Sequence, residues 1–284
     1  MIRLELGALA CEIEPRLGGC IAGLWLGEVP VLRPAPAEGL VSARQAGSYP
    51  LVPFSNRVAR ATLQWQGTAH PLVQNNAPEP HAIHGVGWQR PWEVLDASDR
   101  FAMLAYEHAA DAAWPFAFDC SQTFQLRDGA LELVLAMTNQ SATPAPAGLG
   151  WHPYFVKRPG SHLAFTAAGR WEMGQDKLPT VRRASGGLDT GCAALDIDHC
   201  FDGWSGNVEL RDELLRTRVT SNLSRLVVFT NATRSFVAIE PVSHVNNAAN
   251  LTAAGADAHA MGLRTLQPGE SMTAQMTIEV ERLA

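Results

Sequence analysis

The chain has 284 residues, 22 Lys and Arg against 28 Asp and Glu, a formal net charge of −6, and 46% hydrophobic against 18% charged residues. That acidic balance offers no general attraction for phosphate backbones or anionic membranes, so neither a nucleic acid nor a membrane is expected as a partner, while the apolar content suffices for a sizeable core. Charges interrupt the first apolar run, Met-Ile-Arg-Leu-Glu-Leu-Gly, and no stretch of about 18 apolar residues occurs, so a soluble, untargeted, cytoplasmic protein is expected.

In chain order, a short helix is expected over residues 37–45, then strands over 61–73 broken by a turn at Gly67, and more strands over 92–107. The clearest signal is residues 122–137, where apolar positions alternate on both sides of Asp128-Gly129. Asp-Gly favours the positive backbone angles of a tight turn, so this segment reads as a β-hairpin. Strands follow over 162–173, 208–219 and 226–240, with a short helical stretch at 212–216. Residues 272–280 alternate Met, Ala, Met, Ile and Val against Thr, Gln, Thr and Glu, a strand with one buried face. Turn signals recur at roughly ten-residue intervals, as in a β-sandwich or barrel. With 24 glycines and 18 prolines, no repeat and no composition break, residues 1–284 read as one all-β domain with few short helices.

The five cysteines, Cys11, Cys20, Cys120, Cys192 and Cys200, are odd in number and lack a Cys-x-x-Cys pair, which supports neither a disulfide framework nor a zinc site. Cys200, beside His199, reads as a small buried residue rather than a nucleophile. There is no Gly-x-Ser-x-Gly elbow, phosphate loop or dinucleotide fingerprint.

Two other residues stand out. In Gly-Leu-Gly-Trp-His-Pro-Tyr-Phe, residues 148–155, His152 precedes a proline, and in Phe-Val-Ala-Ile-Glu-Pro, residues 236–241, so does Glu240. Proline disfavours helix in the residue before it, so both are held extended, on or at the end of a strand. A carboxylate ending an apolar run needs a partner or a purpose, because desolvating a charge is costly. The plainer readings are a rim glutamate in water or an ion pair, and a core imidazole bonded to a carbonyl.

Asn75-Asn76 and His81-Ala-Ile-His84-Gly-Val-Gly-Trp88 combine amides, imidazoles and an indole around glycines, residue types that grip sugar hydroxyls and C–H faces. Arg57, in Asn56-Arg57-Val, reads in isolation as a structural ion-pair partner. A metal site of His81, His84, His152 and Glu240 would need a bend between the first two, since residues three apart on a regular strand face opposite ways.

Taken in order, Asn56-Arg57-Val, Asn75-Asn76 with His84-Gly, Gly150-Trp-His152-Pro-Tyr-Phe155, Asp198-His-Cys-Phe201 and Glu240-Pro with Asn246-Asn247 resemble the aldose 1-epimerase (galactose mutarotase-like) family. The resemblance implies a large antiparallel β-sandwich of the supersandwich type, no metal or organic cofactor, and interconversion of the α and β anomers of a free aldohexose through the open-chain aldehyde. It assigns Glu240 as the base at the C1 hydroxyl and His152 as the acid at the ring oxygen. His84 and Arg57 would bind and polarise the sugar, Asp198 would hold a hydroxyl, and Asn76 and Trp88 would add contacts. An ionised Glu240 beside His152 should keep the imidazole protonated near neutrality.

The pattern departs from well-characterised galactose mutarotases after the base. Those usually continue with Gln and a Pro-Asp-Ala-type segment, whereas here the segment is Glu240-Pro-Val-Ser-His244-Val-Asn-Asn, so galactose is not implied. Two alternatives stay open: a hexose-6-phosphate 1-epimerase, for which Arg57, Arg60 and Arg90 are candidate phosphate ligands, and a non-catalytic carbohydrate-binding module. A metal-dependent cupin-like enzyme ranks third.

Overall fold

In the computed structural model, which describes residues 1–36 and 39–283, strands account for 51% of residues and helices for 7%, so the protein is all-β. The Asp128-Gly129 turn forms as expected. It joins Phe118–Arg127 to Ala130–Asn139, in a register that pairs Arg127 with Ala130 and continues to Phe118 opposite Asn139. The last strand, Ser271–Arg282, inserts between Ala130–Asn139 and Leu215–Ser221. These four strands form the middle of a nine-stranded antiparallel sheet that runs from Glu93–Ala97 at one edge to Leu188–Gly191 at the other.

A second, eight-stranded sheet runs in the order Pro179–Ala184, Gly169–Met173, Ile197–Asp202, Arg225–Thr230, Phe236–Val242, Gly150–Trp151 and Pro50–Leu51, with Tyr154–Val156 also paired to Phe236–Val242. The two sheets pack face to face as a sandwich. The Phe165 and Phe201 rings meet edge-on across the interface at 4.9 Å. A four-stranded sheet from residues 2–30 adds Leu4, Leu9, Ile13 and Leu24 to the same core. Each fully buried Leu or Phe contributes about 1.5–3 kcal/mol, so this core is the main source of stability.

Strict alternation puts Phe118, Cys120, Gln122, Phe124 and Leu126 on the buried face of one strand. Gln122 is the polar exception, and it is satisfied: its Nε2 donates to the Gly19 carbonyl at 3.0 Å and its Oε1 accepts from Trp151 Nε1 at 2.9 Å. This bond ties the residue preceding His152 to the opposite sheet. Gln122→Leu would leave the indole N–H and a carbonyl unpartnered in the core, so it should destabilise the fold by about 1–3 kcal/mol, read as a lower urea midpoint.

Both short helices expected from the sequence are corrected. Within 37–45 only the single 3-10 turn Ala43–Gln45 forms, while residues 37 and 38 lie outside the described residues. Residues 212–216 are a hairpin turn: Asp212 Oδ1 accepts from Leu214 N and Leu215 N at 2.8 and 3.0 Å, and the chain is already a strand from Leu215. A local side-chain bond to the backbone outcompetes helix propensity there. The α-helices lie instead at Ala248–Ala253 and Ala258–Met261, where Asp257 caps the second by accepting from Ala260 N at 2.7 Å.

Candidate active site

The strand Phe236–Val242 is buried on both faces. Val237 and Ile239 enter the sandwich core, while Phe236, Ala238, Glu240 and Val242 face the other way. On one side, Gly150 opposes Val242 and Tyr154 opposes Ala238, so His152, midway between them, stands opposite Glu240. Pro153 and Pro241 supply no N–H, and the ladder is interrupted there, leaving His152 between two short strands. Its own N–H donates to the Tyr49 carbonyl at 3.0 Å. Trp151 points into the core and His152, its neighbour, points out of it into a cavity.

The result is a contact between His152 Nε2 and Glu240 Oε1 of 3.2 Å at the wall of a cavity of about 520 Å³. Both residues are buried. Tyr49 stacks on the imidazole at 4.9 Å, and Tyr154 lies at 4.4 Å. Glu240 Oε2 and His152 Nδ1 are buried without a hydrogen-bond partner. Unsatisfied buried polar atoms each cost about 1–3 kcal/mol, an expense that stability alone does not explain.

The sequence-level expectation that Glu240 holds His152 as imidazolium is corrected. Burial lowers the imidazole to about 3, with Arg33 and Arg44 adding to the effect. Burial also pushes the Glu240 carboxyl well above the usual carboxylate range, helped by repulsion from Asp198. Desolvation of both charges outweighs their mutual attraction, so burial favours the neutral pair, with one proton between Oε1 and Nε2.

His84 is the third imidazole of the cavity. Its backbone sits at φ 61°, its N–H donates to the Asn56 carbonyl at 2.8 Å, and its Nδ1 accepts from the Asn56 N–H at 3.0 Å. The proton of the neutral ring is therefore on Nε2, and burial holds the group well below the usual histidine range. The ring meets His152 edge-on at 5.1 Å. Gly85 makes this bend possible: at φ +69° a Cβ would stand 2.1 Å from the Val52 carbonyl oxygen.

Of the remaining residues singled out from sequence, Arg57, Asn76 and Asp198 line the cavity. Arg57 forms a two-pronged pair with Glu79, Nε to Oε2 at 2.7 Å and Nη2 to Oε1 at 3.0 Å, and donates Nη1 to Asn56 Oδ1 at 3.0 Å. Asn76 Oδ1 accepts from Arg44 at 2.5 Å, and Asp198 lies 3.6 Å from Lys177 Nζ. Trp88 does not line the cavity. Its buried indole packs behind Tyr49 at 5.7 Å and donates to the Ile83 carbonyl at 3.4 Å, because the 3-10 turn Gly87–Gln89 directs it inward.

His81 is also turned away. Its Nδ1 accepts from Arg60 N and its Nε2 contacts the Asp176 carbonyl, both at 3.0 Å, so it does not meet the other imidazoles. Arg60 and Arg90 do not join Arg57 at the cavity, and Arg90 pairs with Asp111 elsewhere at 3.1 Å. Residues the sequence did not mark do line it: Arg33, Arg44, Tyr49, Glu79, Lys177 and Arg234. No short motif connects them. Burial pushes the Cys200 thiol up to about 12, which makes it inert.

His244, which is not among the residues lining this cavity, is a structural imidazole. Nε2 accepts from Ser55 N at 3.3 Å, Nδ1 bonds Ser243 Oγ at 2.9 Å, and that hydroxyl also accepts from Leu149 N at 3.0 Å. A Cβ on Gly148 would stand 2.2 Å from His244 Cε1. Since the ring is fixed at both nitrogens, Gly148→Ala should cost about 1–3 kcal/mol, checked by a fall in the thermal midpoint.

The sequence profile of the aldose 1-epimerase family matches residues 2–279. The uncharacterized Escherichia coli (strain K12) protein YphB is 30% identical over 99% of this chain and 98% of its own length. A solved E. coli K12 structure described as a candidate aldose 1-epimerase superposes with a TM-score of 0.89 at 28% identity, covering 99% of each chain. A galactose mutarotase-like protein from Clostridium acetobutylicum gives 0.86 at 18% identity over 99% of this chain and 95% of its own, a likeness of fold. The chain belongs to the aldose 1-epimerase family.

Proposed function

We propose that the protein interconverts the α and β anomers of an aldose by acid–base ring opening and reclosure, with Glu240 and His152 as the proton-transfer pair. The observation that carries this reading is the 3.2 Å Oε1–Nε2 contact on the wall of a cavity that can admit a sugar. The anomeric hydroxyl and the ring oxygen are bonded to the same carbon, so two groups in contact can address both at once.

The resting pair holds one proton. Its transfer from Oε1 to Nε2 gives a carboxylate and an imidazolium. The carboxylate takes the proton from the C1 hydroxyl while the imidazolium protonates O5, the C1–O5 bond breaks, and C1 becomes an aldehyde. Rotation about C1–C2 presents the other carbonyl face. The hydroxyl at C5 then attacks C1, returning its proton to His152, and Glu240 protonates the new C1 hydroxyl. Protons balance, and return of the proton from Nε2 to Oε1 restores the resting pair. The His84 Nε2–H and the Arg57 guanidinium would orient the sugar by donating to its oxygens, with Asp198 accepting from a hydroxyl.

Polarimetry of freshly dissolved α-glucose and α-galactose, with and without protein, tests the reading. Faster decay to the equilibrium rotation is the expected result. No acceleration for any aldose, neutral or charged, would overturn it.

A further inference from the structure

Five cationic side chains line the cavity: Arg33, Arg44, Arg57, Lys177 and Arg234. Arg57 is neutralised by Glu79, and Lys177 faces Asp198. The other three have no carboxylate partner within ion-pair distance among the described residues, although acidic residues outnumber basic ones in the chain.

They are held rather than waving in solvent. Arg33 donates Nε and Nη2 to the Ala46 carbonyl at 3.3 and 2.7 Å and Nη2 to the Arg44 carbonyl at 2.5 Å, and its guanidinium lies 3.9 Å above the Tyr154 ring. Arg44 is braced by Asn76 at 2.5 Å. Arg33 and Arg234 address one aromatic ring, Phe236, at 5.1 and 5.7 Å. Tyr154, which carries Arg33 on its face, touches His152 at 4.4 Å. Through Tyr154, Arg33 therefore stands one aromatic ring away from His152, and Arg44 and Arg234 line the same cavity.

Resting on the acid–base reading above, we infer that the sugar this site takes is an anionic aldose, whose phosphate or carboxylate group docks on Arg33, Arg44 and Arg234 while C1 meets Glu240 and His152. Uncompensated guanidinium groups beside a buried site favour an anion over a neutral hydroxymethyl, because Arg presents planar forks that match both phosphate and carboxylate. The bound anion has a second effect: Arg33 and Arg44 disfavour the imidazolium of His152, and neutralising them moves the shared proton toward Nε2, the state that ring opening requires.

The test is isothermal titration of the full chain with glucose, glucose 6-phosphate and glucuronate, and with the matching galactose series, alongside turnover of each. At least one anionic form should bind ten- to a hundredfold more tightly than its neutral counterpart, about the worth of one or two charge-assisted hydrogen bonds. Added salt should shrink that ratio. In Arg44→Ala and Arg234→Ala the ratio should collapse toward one. Preference for phosphate alone identifies a phosphate ester as the ligand; equal preference for both anions identifies a site for either. Equal affinity for neutral and charged forms, no binding of any anionic form, or variants that keep the wild-type ratio would each overturn the inference. Charge-selective binding without turnover would instead overturn the acid–base reading, so the two failures are distinguishable.

Discussion

Glu240→Gln is expected to lower the protein-catalysed rate of mutarotation by about 10²- to 10⁴-fold, the usual worth of a positioned acid or base, while leaving the fold almost as stable as the parent. The reason lies in the resting state. With its carboxyl held well above the usual range, Glu240 favours its neutral form, and an amide of the same shape can still donate to His152 Nε2, 3.2 Å away. The amide cannot take a proton from the C1 hydroxyl.

His152→Asn should cost a similar factor. The double variant should be little worse than either single one, because the two residues act as a unit. Polarimetry or anomer-resolved NMR gives the rates and urea unfolding gives the stability. Near-normal activity in both single variants would remove the pair from the mechanism. A large loss of stability in Glu240→Gln would show that the carboxyl is ionised at rest.

The second large effect is on pH dependence. In the proposed reaction, the pair works while it holds one transferable proton. A second proton removes the base, and loss of the only proton removes the acid. Because burial lowers His152 to about 3, the acid limb of kcat/KM should be displaced from near 6.5, where a free histidine titrates, toward 3, while the raised Glu240 carboxyl sets the alkaline limb. Burial is the main cause of both limits; Asp198 adds to the rise of Glu240, Arg57 opposes it, and Arg33 and Arg44 add to the fall of His152. An acid limb near 6.5 would refute the neutral pair. A profile for a neutral aldose is the cleaner measurement, since an anionic one titrates itself.

Stability follows a different course as the pH falls. His84, His152 and His244 are buried neutral, the last lowered to about 4, so the unfolded chain takes up protons that the folded chain refuses. Their contribution is fully present above about 6.5 and is lost as pH falls toward the folded values. Glu240 has the opposite sign: its raised carboxyl favours the folded state at low pH and loses that contribution as pH rises through its folded value. Thermal midpoints recorded at each pH of the rate profile separate the two processes.

The strand framework was legible because strand periodicity is local. Alternation across Asp128-Gly129 and along residues 272–280 already defined which side chains are buried, and the sheets follow it. Segments 37–45 and 212–216 misled because their helical composition competes with a local hydrogen bond, Asp212 to the backbone being the clear case. Trp88 carried a sugar-stacking signal by residue type, but only packing decides which way an indole turns.

By itself the sequence determined that His152 and Glu240 are extended, since each precedes a proline, and that each sits in an apolar run where a polar group needs a reason. Tertiary structure alone decided that they stand opposite one another, because the register between residues 150–154 and 238–242 depends on pairing across nearly ninety residues of chain. It also decided where the proton rests, for that depends on how completely both groups leave water. And it gathered Arg234 with Arg33 and Arg44, far from it in the chain, around the same cavity.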